Sequence, residues 1–293
     1  MDQGNSDQIT RDYFDSILLE TRYMDAELPT TDITLYGEHF DTPIMTAALS
    51  HLHNIHENGM VEYAKGAKGA NTMHWLGMGD DAELPAITAT GAKTAKIIKP
   101  HAEDKDVFVK IENARKAGCF ACGMDIDHAF NGGGGYDVVL DLSMRPKSTA
   151  QMKEFVEAAG MPFIVKGVLS PFDAERCIEA GVKGIVVSHH HGIMSYSVPP
   201  LMVLPQIVKA VDGQIPIFVD CGIVSGMDAF KALALGATAV SVGRELMGPL
   251  KDGGEAVTQR INEMTGELKS IMARTGAKSL KDIDPSVVHF RNF

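Results

Sequence analysis

The sequence of 293 residues has little of several features that mark particular classes of protein. Four cysteines are too few for a disulfide framework in a chain of this length. No apolar run approaches the length of about 18 residues that a membrane helix needs, so no membrane partner is predicted. Basic residues are outnumbered by acidic ones, 27 to 38, and the net charge of −11 argues against a nucleic-acid binder.

Two further absences concern location and metal chemistry. The first residues, "MDQGNSDQITRDYFD", contain no basic segment leading into an apolar one, so no secretory signal is visible and a cytoplasmic location is expected. Cys119 and Cys122 form a CxxC, but the surrounding "AGCFACGMDID" resembles a buried strand. Because no second cysteine pair completes a zinc site, we expect these to be small strand residues without a metal or redox role.

What is present is ordinary globular composition, with 45% hydrophobic and 22% charged residues, and a regular alternation of strands and helices. Amphipathic helices are predicted between most of the strands, for example at 105–118 and at 170–181. In the second of these, Ser170 is a candidate N-cap and Gly181 closes the helix. Short apolar runs predict eight strands, at 42–49, 70–76, 95–99, 119–126, 162–167, 184–188, 216–220 and 239–243.

Eight apolar strands alternating with helices in about 250 residues are typical of a (β/α)8 TIM barrel. An open, doubly wound sheet is the alternative, but it usually has fewer strands. We predict a cover segment at 1–39 and a barrel at 40–293. The Gly-rich stretch 129–147 follows the fourth strand and is either an active-site flap, which we favour, or an inconsequential surface excursion.

The most specific pattern lies in "DCGIVSGMDAFKALALGATAVSVGREL", residues 220–246. Glycines after the seventh and eighth strands allow backbone N–H groups to approach a phosphate, and a helix N-terminus adds a favourable dipole. Arg244 can add a charge-assisted contact. The pattern therefore predicts a phosphate site, with a pair of tight turns and an exposed arginine as the alternative.

This segment resembles the phosphate segment of the FMN-dependent α-hydroxy acid dehydrogenases and oxidases, the glycolate and lactate oxidase family. The stretch "PFIVKGVLSPFDAERCIEAGVKGIVVSHHHG" at 162–192 resembles the family's K-G-I and S-N-H-G motifs. The stretches "LYGEHFDTPIMTAA" and "ELKSIMARTGAKSLKDID" are similar to its first strand and closing helix. The resemblance covers about residues 30–290 and implies a barrel that binds FMN.

The resemblance assigns residues to the cofactor. Lys166 matches the lysine that faces the flavin ring, where a cation stabilises the reduced form. Asp220 matches an acidic residue expected at the ribityl chain, and Asp125 stands in place of a threonine. The positions that the resemblance implies for FMN are Ala47, Ala48, Leu49, Asp125, Lys166, Ser188, Asp220, Gly222, Gly243 and Arg244.

The resemblance also implies the catalytic groups. His190 matches the base that takes a proton from the substrate as a hydride equivalent passes to the flavin, which suits an imidazole with a pKa near neutrality. Asp127 matches the carboxylate that orients this base. With Lys166, these two residues are the predicted catalytic set.

The departures from the family concern substrate binding. The arginine that clamps the substrate carboxylate is replaced by Ile193. A third-strand glutamine and tyrosine, a glycine and a phosphate-side arginine align with Ile98, Pro100, Cys221 and Val224. The flavin site is predicted to be kept, whereas a conventional 2-hydroxy-acid site is not.

Histidines replace the lost groups at the predicted strand ends, namely His51, His53, His74, His101, His128 and His189 to His191. They could bind a divalent metal, form a polar and partly cationic substrate pocket, or be scattered loop residues. We favour the pocket, because neither an i, i+4 helical pair nor an interleaved carboxylate triad indicates a metal. The predicted pocket residues are His51, His74, His128, His189, His191 and Ile193.

The sequence therefore predicts an FMN-dependent oxidoreductase for a hydroxylated small molecule or the corresponding carbonyl or activated alkene. The resemblance makes a homo-oligomer, a tetramer or octamer, the expected assembly. A non-redox isomerase similar to the type 2 isopentenyl diphosphate isomerase is one alternative, although its N-terminal signature is not apparent. A non-catalytic flavin-binding protein is another, but such a protein needs neither His190 nor Asp127.

Overall fold

The computed structural model describes residues 4–291, which fold around a sheet of eight parallel strands. The strands are short and buried, because their continuous apolar sequences are covered on both faces. They are β1 (Ile44–Thr46), β2 (His74–Leu76), β3 (Thr94–Ile98), β4 (Ala121–Asp125), β5 (Phe163–Val168), β6 (Gly184–Val187), β7 (Ile217–Val219) and β8 (Ala239–Val242).

The sheet curls into a barrel. Each of the strands from β2 to β7 pairs with the next one along the chain, and β8 pairs with β1. The remaining gap between β1 and β2 is closed by one parallel bridge between Leu49 and Leu76, beside which Gly77 donates its N–H to the Leu49 carbonyl at 2.9 Å. The predicted TIM barrel is confirmed.

A helix follows each strand. Ser170 caps the fifth of them by accepting the Asp173 N–H at 3.1 Å, as its sequence position predicted. None of the helices within residues 4–291 is both long and apolar enough to cross a bilayer. The eight helices that alternate with the strands are α1 (Gly59–Gly69), α2 (Leu84–Thr88), α3 (Asp104–Lys116), α4 (Thr149–Ala159), α5 (Pro171–Glu179), α6 (Pro200–Val211), α7 (Gly226–Ala234) and α8 (Gly254–Arg274). A further four-residue helix, Met247–Leu250, lies between β8 and α8.

The barrel is filled by large side chains on the inner faces of its strands. Trp75 and Phe218 meet edge to face with ring centroids 5.0 Å apart, and Met45 and Ile97 belong to the same buried cluster. A second cluster lies between the strands and the helices. The barrel is therefore a packed core, and polar groups can gather only at its ends.

Residues 4–40 contact both ends of the barrel. The helix Ser6–Ser16, here called the N-terminal helix, lies on the loops that follow β6 and β7. The hairpin Ile33–Leu35 and Glu38–Phe40 lies at the opposite end, where the Tyr36 hydroxyl donates to the Lys183 carbonyl just before β6. The Gly-rich stretch 129–147 contains a small hairpin, Val138–Val139 with Leu142–Ser143.

Several predicted boundaries shift. The first strand is Ile44–Thr46 rather than 42–49, and His74 begins β2 instead of ending it. In each case the strand is limited to the residues that pair with the neighbouring strand, Ile44–Thr46 with β8 and His74–Leu76 with β3. All four cysteines are buried and unpaired.

Close approach of β4 and β5 depends on Gly123, because a Cβ there would lie 1.8 Å from the Ile164 carbonyl oxygen. We expect Gly123→Ala to destabilise the protein by about 2 kcal/mol or more, since the backbone must shift. Gly266 is the matched control. It is exposed within α8 with no atom near its added Cβ, so Gly266→Ala should stabilise by about 0.5–1 kcal/mol. Urea unfolding measures both, and equal midpoints for the two variants would contradict the packing argument.

Candidate functional site

The ammonium group of Lys166 is the centre of the barrel mouth. Its Nζ lies 3.3 Å from Asp125 Oδ1 and 3.5 Å from Asp220 Oδ2, so β5 brings a cation between carboxylates from the ends of β4 and β7. All three side chains are buried. Burial alone would lower the pKa of Lys166, but Asp125, Asp220 and Asp127 outweigh it and raise this pKa above its ordinary value. Lys166 is therefore charged.

A second buried lysine, Lys99, shares Asp125 with Lys166. Its Nζ lies 2.8 Å from Asp125 Oδ2. Burial opposes ionisation of Asp125, but Lys166 and Lys99 together hold its pKa far below the ordinary range. Sequence reasoning missed Lys99, because it aligned the neighbouring Ile98 and Pro100 with the family's polar residues. The signal was available, since "AKIIK" ends an apolar strand in lysine just as "PFIVK" does.

His190 is held by the predicted catalytic partners. Its Nδ1 lies 3.1 Å from Asp127 Oδ1 and 3.3 Å from Lys166 Nζ, and its backbone N–H donates to the Ser188 hydroxyl at 3.1 Å. The backbone of His190 is left-handed, with φ of 49°, which turns the imidazole toward β4. Asp127 has room beside His190 because residue 167 is a glycine with φ of 90°. A Cβ at position 167 would lie only 2.6 Å from the Asp127 carboxyl carbon.

His128 joins this centre from the loop after β4. Its Nε2 lies 3.1 Å from His190 Nε2, and its Nδ1 lies 3.1 Å from Asp137 Oδ2. Burial, Lys99 and His190 lower the pKa of His128 more than Asp137 raises it. Asp127, His128 and His190 have donor atoms within 4.8 Å of one another. The Lys166 ammonium opposes a metal cation there by repulsion.

The other histidines do not share one pocket. His189 is buried, accepts the Gly192 N–H at Nδ1 and contacts the Thr10 hydroxyl through Nε2 at 2.7 Å. His74 lies inside the wall against Thr46 and Tyr63, and burial lowers its pKa to about 3.

His51, His53 and His101 line a separate cavity of about 470 Å³ beside Lys99. Ile193 is 41% exposed, and its N–H donates to the His189 carbonyl. Of the predicted pocket residues, His128 therefore lies beside the predicted catalytic residues. The remaining predicted pocket residues do not share one cavity with them.

The predicted phosphate end is a cavity of about 110 Å³ lined by Ala47, His191, Gly222, Gly243 and Arg244. Arg244 already binds a carboxylate, since its guanidinium donates to Asp7 Oδ2 of the N-terminal helix at 2.9 Å. Asp7 Oδ1 also lies 3.7 Å from His191 Nδ1. The Asp7 carboxylate is an anionic group held by Arg244 beside His191, so these residues also fit the anionic phosphate of a cofactor.

The first strand is fixed where the resemblance places the flavin ring. The Tyr63 hydroxyl donates to the Val242 carbonyl at 3.0 Å and accepts the Ala47 N–H at 3.1 Å. Leu49 forms the bridge that closes the barrel, and Ala48 lies between these two anchored residues. Lys166 and Asp220 lie at the same mouth of the barrel as this strand. The anchored segment Ala47 to Leu49, the Lys166 ammonium and the predicted phosphate end can therefore contact one extended ligand.

The N-terminus of α7 is occupied by side chains of the protein. Ser225 accepts the Asp228 N–H, and Glu267 accepts the Gly226 N–H at 2.6 Å. The first turn of α7 is therefore not available to an anion, and the predicted phosphate site is confined to the turns after β7 and β8.

Comparison with known proteins identifies the family to which the chain belongs. The family model for FMN-dependent dehydrogenases matches residues 1–159 and 139–290. An L-lactate oxidase of Roseobacter sp. (strain GAI101) is 42% identical over 157 residues, which are 53% of this chain and 42% of that protein. An L-lactate oxidase of Lactobacillus jensenii is 30% identical over 298 residues, covering 90% of this chain and 73% of that protein.

A solved structure of a mandelate oxidase variant with a C4a-OH-FMN adduct superposes with a TM-score of 0.89 at 26% identity. The superposition covers 98% of this chain and 92% of the variant. The matched family and the superposed fold are those that the sequence resemblance implied. The chain belongs to the FMN-dependent dehydrogenase family and is an FMN-dependent oxidoreductase.

Proposed function

We propose that the protein transfers a hydride equivalent between FMN and a hydroxylated small molecule, or the corresponding carbonyl, with His190 as the acid–base group. The observation that carries this proposal is the position of His190 Nδ1 between Asp127 Oδ1 at 3.1 Å and Lys166 Nζ at 3.3 Å. Bound FMN supplies the two-electron redox chemistry.

The residues of the chain have separate roles in this proposal. His190 takes the proton of the substrate hydroxyl, and Asp127 stabilises the resulting imidazolium through the Nδ1 contact. Lys166 supplies a fixed positive charge at the mouth, which favours a cofactor that gains negative charge on reduction. The packed barrel below excludes water from one side of this centre.

A standard 2-hydroxy acid is not the substrate we propose. An acid oxidase of the resembled type holds the substrate carboxylate with an arginine, and Ile193 occupies that position here. The two buried lysines of the centre already contact Asp125, and Lys166 also contacts Asp220. Recruiting either lysine to a substrate carboxylate would weaken an existing buried pair, which is costly.

The assembly and location remain predictions. A tetramer or octamer is the expected homo-oligomer, and the cytoplasm is the expected compartment. Mass photometry of the purified flavoprotein would determine the assembly, and a monomer would contradict the expectation.

The proposed base is tested by His190→Ala in the FMN-loaded protein. We expect anaerobic bleaching of the flavin by a reactive alcohol to slow by at least about 100-fold, which is the lower range for loss of general base catalysis. A screen of hydroxy acids, neutral alcohols and reduced nicotinamides identifies the reactive compound. The matched control is the exposed His289→Ala, which should bleach normally. Wild-type bleaching by the His190 variant, with flavin retained, would contradict the assignment.

The anion-binding end is tested by Asp7→Asn. Because Asp7 occupies Arg244, its neutralisation should free the guanidinium and tighten FMN binding by about two- to fivefold, the range for a partly exposed ion pair. Quenching of FMN fluorescence on titration with apoprotein measures this affinity. Asp12→Asn, on the same helix and paired with Gln8, controls for helix charge. Weaker FMN binding in Asp7→Asn alone would show instead that Asp7 positions Arg244.

A further inference from the structure

Lys96 is a buried cation that forms no ion pair with any of the described residues. It lies in the middle of β3, where a strand covered on both faces normally carries apolar side chains, and it is 3% exposed. Its Nζ donates to the Gly77 carbonyl at 2.7 Å. An ammonium group has three N–H donors, so two donors of Lys96 have no hydrogen-bond acceptor within residues 4–291. A cation in this state is costly to bury.

The other lysines of the same cavity are paired. Lys96, Lys99 and Lys110 all line the cavity of about 470 Å³ described above. Lys99 Nζ lies 2.8 Å from Asp125 Oδ2, and Lys110 Nζ lies 2.9 Å from Asp81 Oδ2. Burial lowers the pKa of Lys96 to about 8, because desolvation outweighs the attraction of Asp81. Lys96 is still largely protonated at neutral pH, so its charge lacks a counter-charge.

The acidic residues of this cavity do not supply that counter-charge. Asp81 is already paired with Lys110 and also accepts a hydrogen bond from Asn113 at 2.7 Å. Asp80 and Glu83 are exposed, and water and salt screen exposed charges. An anion that enters the cavity would therefore find a buried cation without an ion pair, and its acidic neighbours would be neutralised or screened.

The cavity has the size and the walls of a small-molecule site, which typically holds about 300–1,000 Å³. Leu140 and Leu142 of the small hairpin line it, and both are exposed apolar side chains. The hairpin is held there, because Ala102 donates its N–H to the Ser143 carbonyl at 2.8 Å. His101 also lines the cavity, and its buried Nδ1 has no partner among the described residues. A carbon chain bound against the two leucines would remove apolar surface from water.

This cavity adjoins the reaction centre through Lys99. Lys99 lines the cavity and contacts Asp125, and Asp125 Oδ1 lies 3.7 Å from His190 Nδ1. A molecule that contacts both His190 and Lys96 must extend past the pair of Lys99 and Asp125. Its anionic group is therefore several bonds away from the reacting hydroxyl, whereas the carboxylate of a 2-hydroxy acid is on the adjacent carbon.

We propose that Lys96 binds the carboxylate of an elongated substrate whose hydroxyl reacts at His190, a proposal that rests on the function proposed above. The substrate class is a hydroxy carboxylate in which an apolar carbon chain separates the two groups. One cation without an ion pair matches one carboxylate better than a doubly charged phosphate. Because the carboxylate is held at Lys96, the site needs no arginine in place of Ile193.

Carboxylate binding is tested without turnover. Hexanoate is the probe, since it has a carboxylate and an apolar chain but no hydroxyl, and calorimetry measures its binding to the FMN-loaded protein. We expect Lys96→Met to weaken hexanoate binding by at least about tenfold, the range for a lost hydrogen bond to a charged group. Lys93→Met is the matched control. Lys93 is paired with Glu38 and precedes β3, so this variant should bind hexanoate like the wild type.

Replacing a buried charge by an apolar side chain of similar size is often neutral or stabilising, so Lys96→Met should fold. Lys96→Gln, which removes the charge and keeps a donor, gives the same test if the methionine variant folds poorly. Equal hexanoate affinity in the wild type and the variant, or no binding by the wild type up to the solubility limit, would overturn the site. A variant that loses affinity for inorganic phosphate but not for hexanoate would overturn the carboxylate assignment.

The substrate class is tested by anaerobic bleaching of the flavin with ω-hydroxy carboxylates of increasing length and with the diols of matching length. At least one hydroxy carboxylate should bleach the flavin at a lower half-saturating concentration than its diol. Lys96→Met should reduce this preference by at least about tenfold. Equal half-saturation by the acid and the diol in the wild type, or a preference that survives in Lys96→Met, would refute the assignment of the substrate.

Failure of the carboxylate site and failure of the proposed function give different results. If diols bleach the flavin while hexanoate binding does not depend on Lys96, the oxidoreductase function stands and the carboxylate site is overturned. If hexanoate binding depends on Lys96 but no hydroxylated or carbonyl compound changes the flavin, Lys96 is supported as an anion-binding residue. The function proposed for hydroxylated compounds is then overturned, together with the substrate class.

Discussion

The buried ammonium of Lys166 is the constraint on which the rest of the site depends. An isolated ion of this kind costs several kcal/mol to remove from water, so it is tolerated only beside well-placed counter-charges. Asp125 and Asp220 come from different strands, and only a closed barrel brings the ends of β4, β5 and β7 to one point. The strand order of the barrel therefore determines where Lys166, Asp125 and Asp220 meet, and the strands hold these groups in fixed positions.

The fold could be predicted because eight buried strands leave eight apolar runs in the sequence. What could not be predicted is how short the paired part of each strand is. The run 42–49 contributes only Ile44–Thr46, and the β1–β2 contact is reduced to the bridge between Leu49 and Leu76. Pairing length depends on where neighbouring strands diverge, and hydrophobic patterning carries no information about that divergence.

The site was predictable where a residue ends a strand and less so where it lies in a loop. Lys166, Asp125 and Asp220 meet because each lies at or near the C-terminal end of its strand, and these ends converge at one mouth of the barrel. The three histidines at 189–191 are adjacent in sequence, yet His189 contacts Thr10, His190 contacts Asp127, and His191 lies near Asp7. The backbone is left-handed at His190 and His191, with φ of 49° and 56°, so the three side chains point in different directions. No glycine or asparagine stands at either position to predict this conformation.

The N-terminal helix makes the loops around the cofactor end depend on one another. Thr10 contacts His189 after β6, Arg11 forms a bidentate pair with Asp228 of α7, and Asp7 binds Arg244 after β8. A shift of this helix would therefore disturb the histidine loop and the anion-binding arginine together. The neighbouring histidines thus differ in what they hold: His190 contacts Asp127 and Lys166, while His189 anchors the loop in which His190 adopts its left-handed conformation.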